Sequence, residues 1–200
     1  MPKKVYFKYG VMGSAKSLDL IRAEYNYRER GMETIVFLPE IDTRAGGKIW
    51  SRLGITLEGI RVKKTDNIFE IVQYHIKSLK RDIKSVFVDD VHFLTEKQID
   101  EMCDIADKLN IPVLCYGLRS DFRGLLFEAS KRLLELADEI EEIKAMCDCG
   151  KKATMNARFV NNKPVRTGKQ IVIGAEQYKS YCRSCYKKLF KNQEIFGRLK

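Results

Sequence analysis

The 200-residue chain has no run of about 18 consecutive apolar residues, which excludes a helical membrane span. It shows no internal repeat and no low-complexity tract. Its first residues, MPKK, lead directly into a strand pattern without the apolar stretch of a secretory signal, so a cytoplasmic protein is expected. In that compartment the six cysteines are thiols or metal ligands rather than disulfides. Acidic residues are scarce in the last quarter only. Residues 144–200 hold three Asp/Glu against 14 Lys/Arg, a net of +11, whereas residues 1–143 hold 24 against 23, a net of −1. The break places a boundary near Lys144, dividing residues 1–143 from residues 144–200. A basic segment attracts polyanions, whether nucleic acid or nucleotide phosphates, unless it is only a solvated basic surface. It carries no evident platform of aromatics for stacking bases, which argues against a nucleic-acid partner. The 44% apolar content is enough for a core, and the length suits one domain with a small appendage.

What is present begins with residues 3–17, KKVYFKYGVMGSAKS. Val5, Phe7 and Tyr9 alternate as in a strand, and a helical pattern follows Ser17. Between them Gly10-Val11-Met12-Gly13-Ser14-Ala15-Lys16-Ser17 reads as a phosphate-cradling loop. Its N–H groups and the helix dipole would hold phosphate oxygens. Lys16 would neutralise the β/γ charge, and the Ser17 hydroxyl would ligate Mg²⁺. The general pattern G-x-x-x-x-G-K-[ST] has glycine where this chain has Ala15. A methyl group there restricts the turn, and Gly13 restores some freedom two residues earlier.

Helix and strand signals then alternate. Residues 19–30 are helical in composition, with Gly31 as the C-cap. Thr34–Leu38 is an apolar strand stopped by Pro39. Residues 66–81 read as a helix, Ser85–Val88 as a buried strand and Glu96–Leu109 as an amphipathic helix. Ile111–Tyr116 is a strand and Glu128–Glu139 a helix. Alternation of this kind predicts an α/β fold with a parallel sheet covered on both faces. Ligands of such sheets bind at the strand C-termini. Residues 14–17, 42–44, 89–93 and 117–122 all follow strands and should converge on one edge. Beyond Lys144, short β-like pieces at Ala153–Val160 and Gln170–Ile173 lie between turn signals, in a segment too small for a large core.

Two constellations carry chemistry. Val86-Phe87-Val88-Asp89-Asp90 is an apolar strand ending in acids, as in a Walker B aspartate. Asp89 can hold Mg²⁺ directly or through water, and Asp90 can take a proton from an attacking hydroxyl. Two adjacent acids hinder each other's ionisation, which favours one of them as a base. His92 lies close by and His75 falls on a helix surface. Cys147-x-Cys149 and Cys182-x-x-Cys185 form two close pairs that suit a tetrahedral Zn²⁺. Cys103 and Cys115 read as core residues.

Taken with E-I-D-T-R at 40–44, S-R-L-G-I at 51–55, CYGLRSDFRG at 115–124, CDCGKKATMNARF at 147–159 and IGAEQYKSYCRSCY at 173–186, these segments resemble the type II thymidine kinases. Those are small P-loop deoxynucleoside kinases with a zinc-stapled lasso domain, and the likeness runs in order along nearly the whole chain. It implies ATP-dependent phosphorylation of thymidine, and of deoxyuridine, at the 5′-hydroxyl. On this likeness Gly10, Met12, Gly13, Ser14, Ala15, Lys16, Ser17, Asp42 and Asp89 bind ATP and Mg²⁺, with Asp89 serving the metal and Asp42 organising the phosphoryl-transfer site together with Arg44. Arg44 stabilises the moving phosphoryl group. Asp90 stands where the family has a glutamate base, and His92 where it has glutamine. Phe93 and Phe122 wall the thymine pocket, with Met12, Leu118, Val172 and Tyr178 around it. The lasso closes over the nucleoside. A cytoplasmic homotetramer of nucleotide salvage, inhibited by dTTP, is also implied. Ala15, Asp90 and a lasso one residue short leave open a second reading, a nucleotide-binding regulatory relative with impaired transfer.

Overall fold

A computed structural model describes residues 3–42, 46–172 and 177–190. The elements in chain order are β1 (Val5–Tyr9), α1 (Lys16–Arg28), β2 (Glu33–Pro39), β3 (Lys48–Trp50), β4 (Thr56–Glu58), β5 (Ile60–Val62), α2 (Ile68–Lys77), β6 (Ile83–Val88), α3 (Glu96–Leu109), β7 (Val113–Gly117), α4 (Glu128–Leu136) and β8 (Glu139–Glu142). Six of these strands form one parallel sheet in the order β5-β2-β6-β7-β1-β8. The central strands are apolar on both faces because helices cover both. On one face Val86, Val88, Val113 and Cys115 pack against Ile68 and Val72 of α2, Ile99, Met102 and Ile105 of α3, and Leu133 of α4. On the other, Val36, Leu38, Phe87 and Tyr116 meet Leu20 and Ile21 of α1 and Ile49 of β3.

Local signals set most boundaries. Thr95 and Gln98 form a reciprocal capping box that starts α3 where its amphipathic pattern begins. Asn67 accepts from the Glu70 N–H and starts α2, two residues inside the expected 66–81 span, and that helix closes at Lys77. Helix α1 ends at Arg28 with Glu29 as its cap, so Gly31 is not the C-cap; it sits two residues later at φ +69°. Pro39 does not stop the strand before itself but closes β2.

The largest departure lies after α4. The helix expected over Glu128–Glu139 ends at Leu136, and Glu139–Glu142 instead extends the sheet beside β1. The acidic run has helical composition, but its backbone completes an otherwise open edge. Lys4 Nζ answers Glu139 at 2.6 Å and Lys8 Nζ answers Glu141 at 2.9 Å.

The remainder is β9 (Ala145–Met146), β10 (Lys152–Ala153), β11 (Met155–Val160), β12 (Lys163–Val165), β13 (Gln177–Tyr181) and α5 (Arg183–Leu189). Strands β9 and β10 make a hairpin, and β12-β11-β13 an antiparallel sheet. Gln170–Val172 of the expected strand at 170–173 is not a strand; Gln170 Nε2 is turned to Asp121 Oδ2 at 3.2 Å, and Ile173 lies outside the described residues. Cys115 is buried, as expected of a core thiol, and Cys103 is half-buried against the same core.

Candidate active site

The loop between β1 and α1 is shaped by two demands on the backbone. A Cβ on Gly10 would lie 2.3 Å from Ser14 Oγ and 2.6 Å from Ile143 O, so only glycine fits. Gly13 takes φ +77° and Ala15 takes φ +63°, both left-handed. The alanine is therefore held where its Cβ costs about 1–2 kcal/mol. It provides no side-chain cap for α1, which leaves the first-turn N–H groups directed at the space in front of the helix. Lys16 Nζ donates to Val11 O at 2.9 Å and is buried across the loop. Ser14 Oγ is buried and has no hydrogen-bond partner among the described residues.

Asp89 and Asp90 stand at the C-terminal end of β6, facing this loop. The Asp89 N–H donates to Phe37 O at 3.0 Å, which fixes the carboxylate over the end of β2. Burial, and then the neighbouring Asp90 charge, push the Asp89 carboxyl up to about 7, against the Ser17 hydroxyl and the Lys16 ammonium, which favour its ionised form. Among the described residues Asp89 Oδ1 has no hydrogen-bond partner. A buried carboxylate oxygen without a donor, beside the Ser17 hydroxyl, is a donor set that fits a hard divalent cation. Asp90 takes φ +44°, a costly conformation for a non-glycine residue and common at reactive positions. His92 is buried, with its ring 4.1 Å from that of Phe93 and 4.7 Å from that of Phe127. Its Nδ1 accepts from the Leu118 N–H at 3.2 Å, which assigns the proton of the neutral ring to Nε2. His75 is a half-buried helix residue with Nδ1 2.9 Å from Arg81 Nη1.

Loop, acids and apolar wall share one cavity of about 630 Å³. Met12, Gly13, Ala15, Lys16, Ser17, Asp42, Asp89 and Asp90 line it on one side, and Phe93, Leu118, Phe122, Val172 and Tyr178 on the other. Gly10 and Ser14 shape the loop beneath it. Arg44 lies outside the described residues. The four segments expected to converge at the strand C-termini thus each contribute described residues to this cavity.

Several lining or supporting residues were not legible in the sequence. Asn156 Oδ1 accepts from the Met12 N–H at 2.8 Å while its Nδ2 donates to Ser120 O at 3.1 Å, so one buried amide bridges the two loops of the site. Ser180 Oγ donates to Met12 O. Arg158 is buried with its guanidinium 3.9 Å from the centre of the Phe122 ring, and it donates to Thr167 O at 2.5 Å and Lys169 O at 3.0 Å. It holds the segment before Val172 down against the pocket wall. Nothing local marks it among the 14 basic residues of the last quarter.

The four cysteines of the two pairs come together as expected. Their sulfurs all lie within 4.8 Å of one another, with Cys149 Sγ and Cys182 Sγ 3.6 Å apart. Tetrahedral Zn–S bonds of about 2.3 Å place sulfurs about 3.8 Å apart, so the donor set fits zinc. The Cys185 N–H donates to Cys182 Sγ at 3.4 Å and, with other donors nearby, lowers that thiol to about 7. Next in α5, the Tyr186 hydroxyl donates to Phe122 O. The cluster is therefore one residue away from a side chain that anchors the pocket wall.

A phosphate loop at the head of α1, facing paired acids at the end of a parallel strand across a cavity with an aromatic wall, defines a P-loop phosphotransferase. The particular family follows from comparison with known proteins. The thymidine kinase family model matches residues 3–186. The chain is 46% identical to a thymidine kinase of Agrobacterium fabrum over 184 residues, covering 90% of this chain and 94% of that one. It is 42% identical to a thymidine kinase of Legionella pneumophila over 203 residues, covering 98% and 97%. Against a Haemophilus influenzae thymidine kinase the identity is 44%, with coverages of 92% and 96%. The chain belongs to the thymidine kinase family.

Proposed function

We propose that this protein transfers the γ-phosphoryl group of ATP to the 5′-hydroxyl of thymidine, giving dTMP and ADP, and that it accepts deoxyuridine as well. The observation that carries the reading is the single cavity shared by the phosphate loop, Asp90 and the Phe93–Phe122 wall. A phosphoryl donor and a flat apolar base can be held there in reach of one carboxylate. In the step, Asp90 accepts the proton of the 5′-hydroxyl as its oxygen bonds to the γ-phosphorus. The bond to the β,γ-bridging oxygen breaks, and its electron pair leaves with ADP. Lys16 and Arg44 stabilise the charge on the transferring group. Phe93, Phe122 and Leu118 keep water away, so that it does not compete as acceptor. Asp90 has a shorter reach than a glutamate, and the left-handed backbone at this residue aims it.

Ser17 and Asp89, with Asp42 close by, would hold Mg²⁺, which when bound neutralises phosphate charge. Cys147, Cys149, Cys182 and Cys185 would hold a structural Zn²⁺. We take residues 1–143 as the ATP-binding domain and residues 144–200 as a lasso that closes over the nucleoside, with Val172 and Tyr178 at its inner face. A cytoplasmic homotetramer of nucleotide salvage, inhibited by dTTP, completes the reading. No helix of the described residues is long and apolar enough to cross a membrane.

The test is product formation from ATP with thymidine, deoxyuridine, deoxycytidine or no nucleoside. dTMP should appear with thymidine, and Asp90→Asn should cut turnover by about 10²–10⁴-fold with ATP still bound. ADP without dTMP would indicate a plain ATPase. No turnover by the wild type, with ATP bound, would favour the regulatory relative.

A further inference from the structure

Strands β3 and β4 are joined by a turn that overhangs the phosphate loop. The Ser51 N–H donates to Ile55 O at 2.9 Å, and the Gly54 N–H donates to Ser51 O at 2.9 Å. Ser51 Oγ accepts from the Ile55 N–H at 3.2 Å, and Gly54 takes φ +83°. Ser51 is buried, whereas Arg52 is exposed at the tip. The turn is thus fastened at its root and presents a guanidinium. A Cβ placed on Gly13 would lie 3.5 Å from Arg52 Nη1. Arg52 lines the same cavity as Lys16, Ser17 and Asp89. No carboxylate of the described residues pairs with it.

The charge of the cavity gives this position a task. Asp42, Asp89, Asp90 and Asp121 line it, the last ion-paired with Arg123 at 2.7 Å, against Lys16 and Lys48 among the other described cations of its lining. A transferring phosphoryl group spreads negative charge over three oxygens, and catalysis of its transfer is mostly positioning and electrostatic stabilisation. A planar guanidinium meets such oxygens with two parallel N–H donors, which an ammonium does not.

We propose that Arg52 is a further catalytic residue of the transfer, contacting the γ-phosphoryl of ATP laid along the loop at 10–16. The inference rests on the phosphotransfer reading given above. Arg52 keeps its protons throughout. It stabilises the γ-oxygens while the bond to the β,γ-bridging oxygen breaks and the bond to O5′ forms, the 5′-proton going to Asp90.

The experiment uses the full chain and two variants, Arg52→Ala and Arg52→Lys. Steady-state kinetics are measured with thymidine and ATP, and ATP and ADP affinities by calorimetry without thymidine. Turnover should fall by about 10³-fold in Arg52→Ala, with the lysine variant regaining only a small part. The KM for thymidine and the affinity for ADP should stay within about twofold, while ATP binds about tenfold more weakly, the γ-phosphate alone having lost its partner. Turnover within about threefold of wild type would overturn the proposal, as would equal losses of ATP and ADP affinity, which mean a damaged loop. Should the wild type form no dTMP, the phosphotransfer reading fails by itself. The ATP-against-ADP difference then still decides whether Arg52 meets the γ-phosphate.

Discussion

The parallel sheet and the segment after β8 build the two halves of one site by different means. The sheet carries Lys16, Asp89 and Asp90 on loops that follow strands buried on both faces, so a large apolar core fixes them. The later segment has only small buried clusters, around Cys147 and Cys182 and around Tyr186. It reaches the site through single polar side chains, Asn156, Arg158 and Ser180, and through a four-cysteine cluster. The lesson is that burial positions Lys16, Asp89 and Asp90, whereas a handful of directed bonds and a four-cysteine cluster position the later segment. The two halves should therefore fail differently.

The largest difference is expected on removing one thiol. In Cys182→Ser the small clusters cannot hold the segment by themselves, because metal binding is folding energy for modules of this size. The parallel sheet should keep its far-ultraviolet signal and its affinity for ADP, while dTMP formation falls by at least about 100-fold and residues near 150–170 become open to protease. A variant that unfolds throughout would show that the halves are not separable in this way.

A second contrast lies within the sheet half. Asp89 is held protonated up to about 7 in the folded protein but ionises near 3.8 when unfolded. The folded state then binds more protons between these values, so this group costs stability as pH rises from about 4 to 7. Asp89→Asn is free of that cost. Without metal or nucleotide its Tm should exceed that of the wild type by a margin that widens across that range and levels above about pH 8, although its turnover is lost. A margin independent of pH would refute the assignment.

The smallest effect is expected at Ala15. Replacement by glycine relieves the left-handed strain but adds freedom to the unfolded chain, so a net gain of about 0.5–1 kcal/mol should appear in denaturant unfolding. A loss of stability would mean that the Ala15 methyl group makes contacts worth more than its backbone cost.

How much of this was legible depended on the range of the contacts involved. The phosphate loop, the Asp89–Asp90 pair and the two cysteine pairs are local patterns whose chemistry is set by spacing, and each stands where its spacing implied. Helix α3 was equally clear, since its capping box and its amphipathic period agree. Strand β8 was not, because an acidic run with helical composition became a strand only when β1 offered it a free edge. Arg158 and Asn156 were hidden for the same reason, their partners at Phe122 and Met12 lying far away along the chain. Arg52 belongs to the S-R-L-G-I run at 51–55, whose local pattern gives it no role; the fold lays it over Gly13.

The sequence by itself therefore determined the class of chemistry, because phosphate cradling, metal ligation and strand-end acids are properties of a few neighbouring residues. Only the tertiary structure decided which side chains line the shared cavity and that Arg158 packs on the Phe122 ring of its wall. Those depend on long-range packing and on hydrogen bonds whose donors and acceptors meet only after the chain has folded.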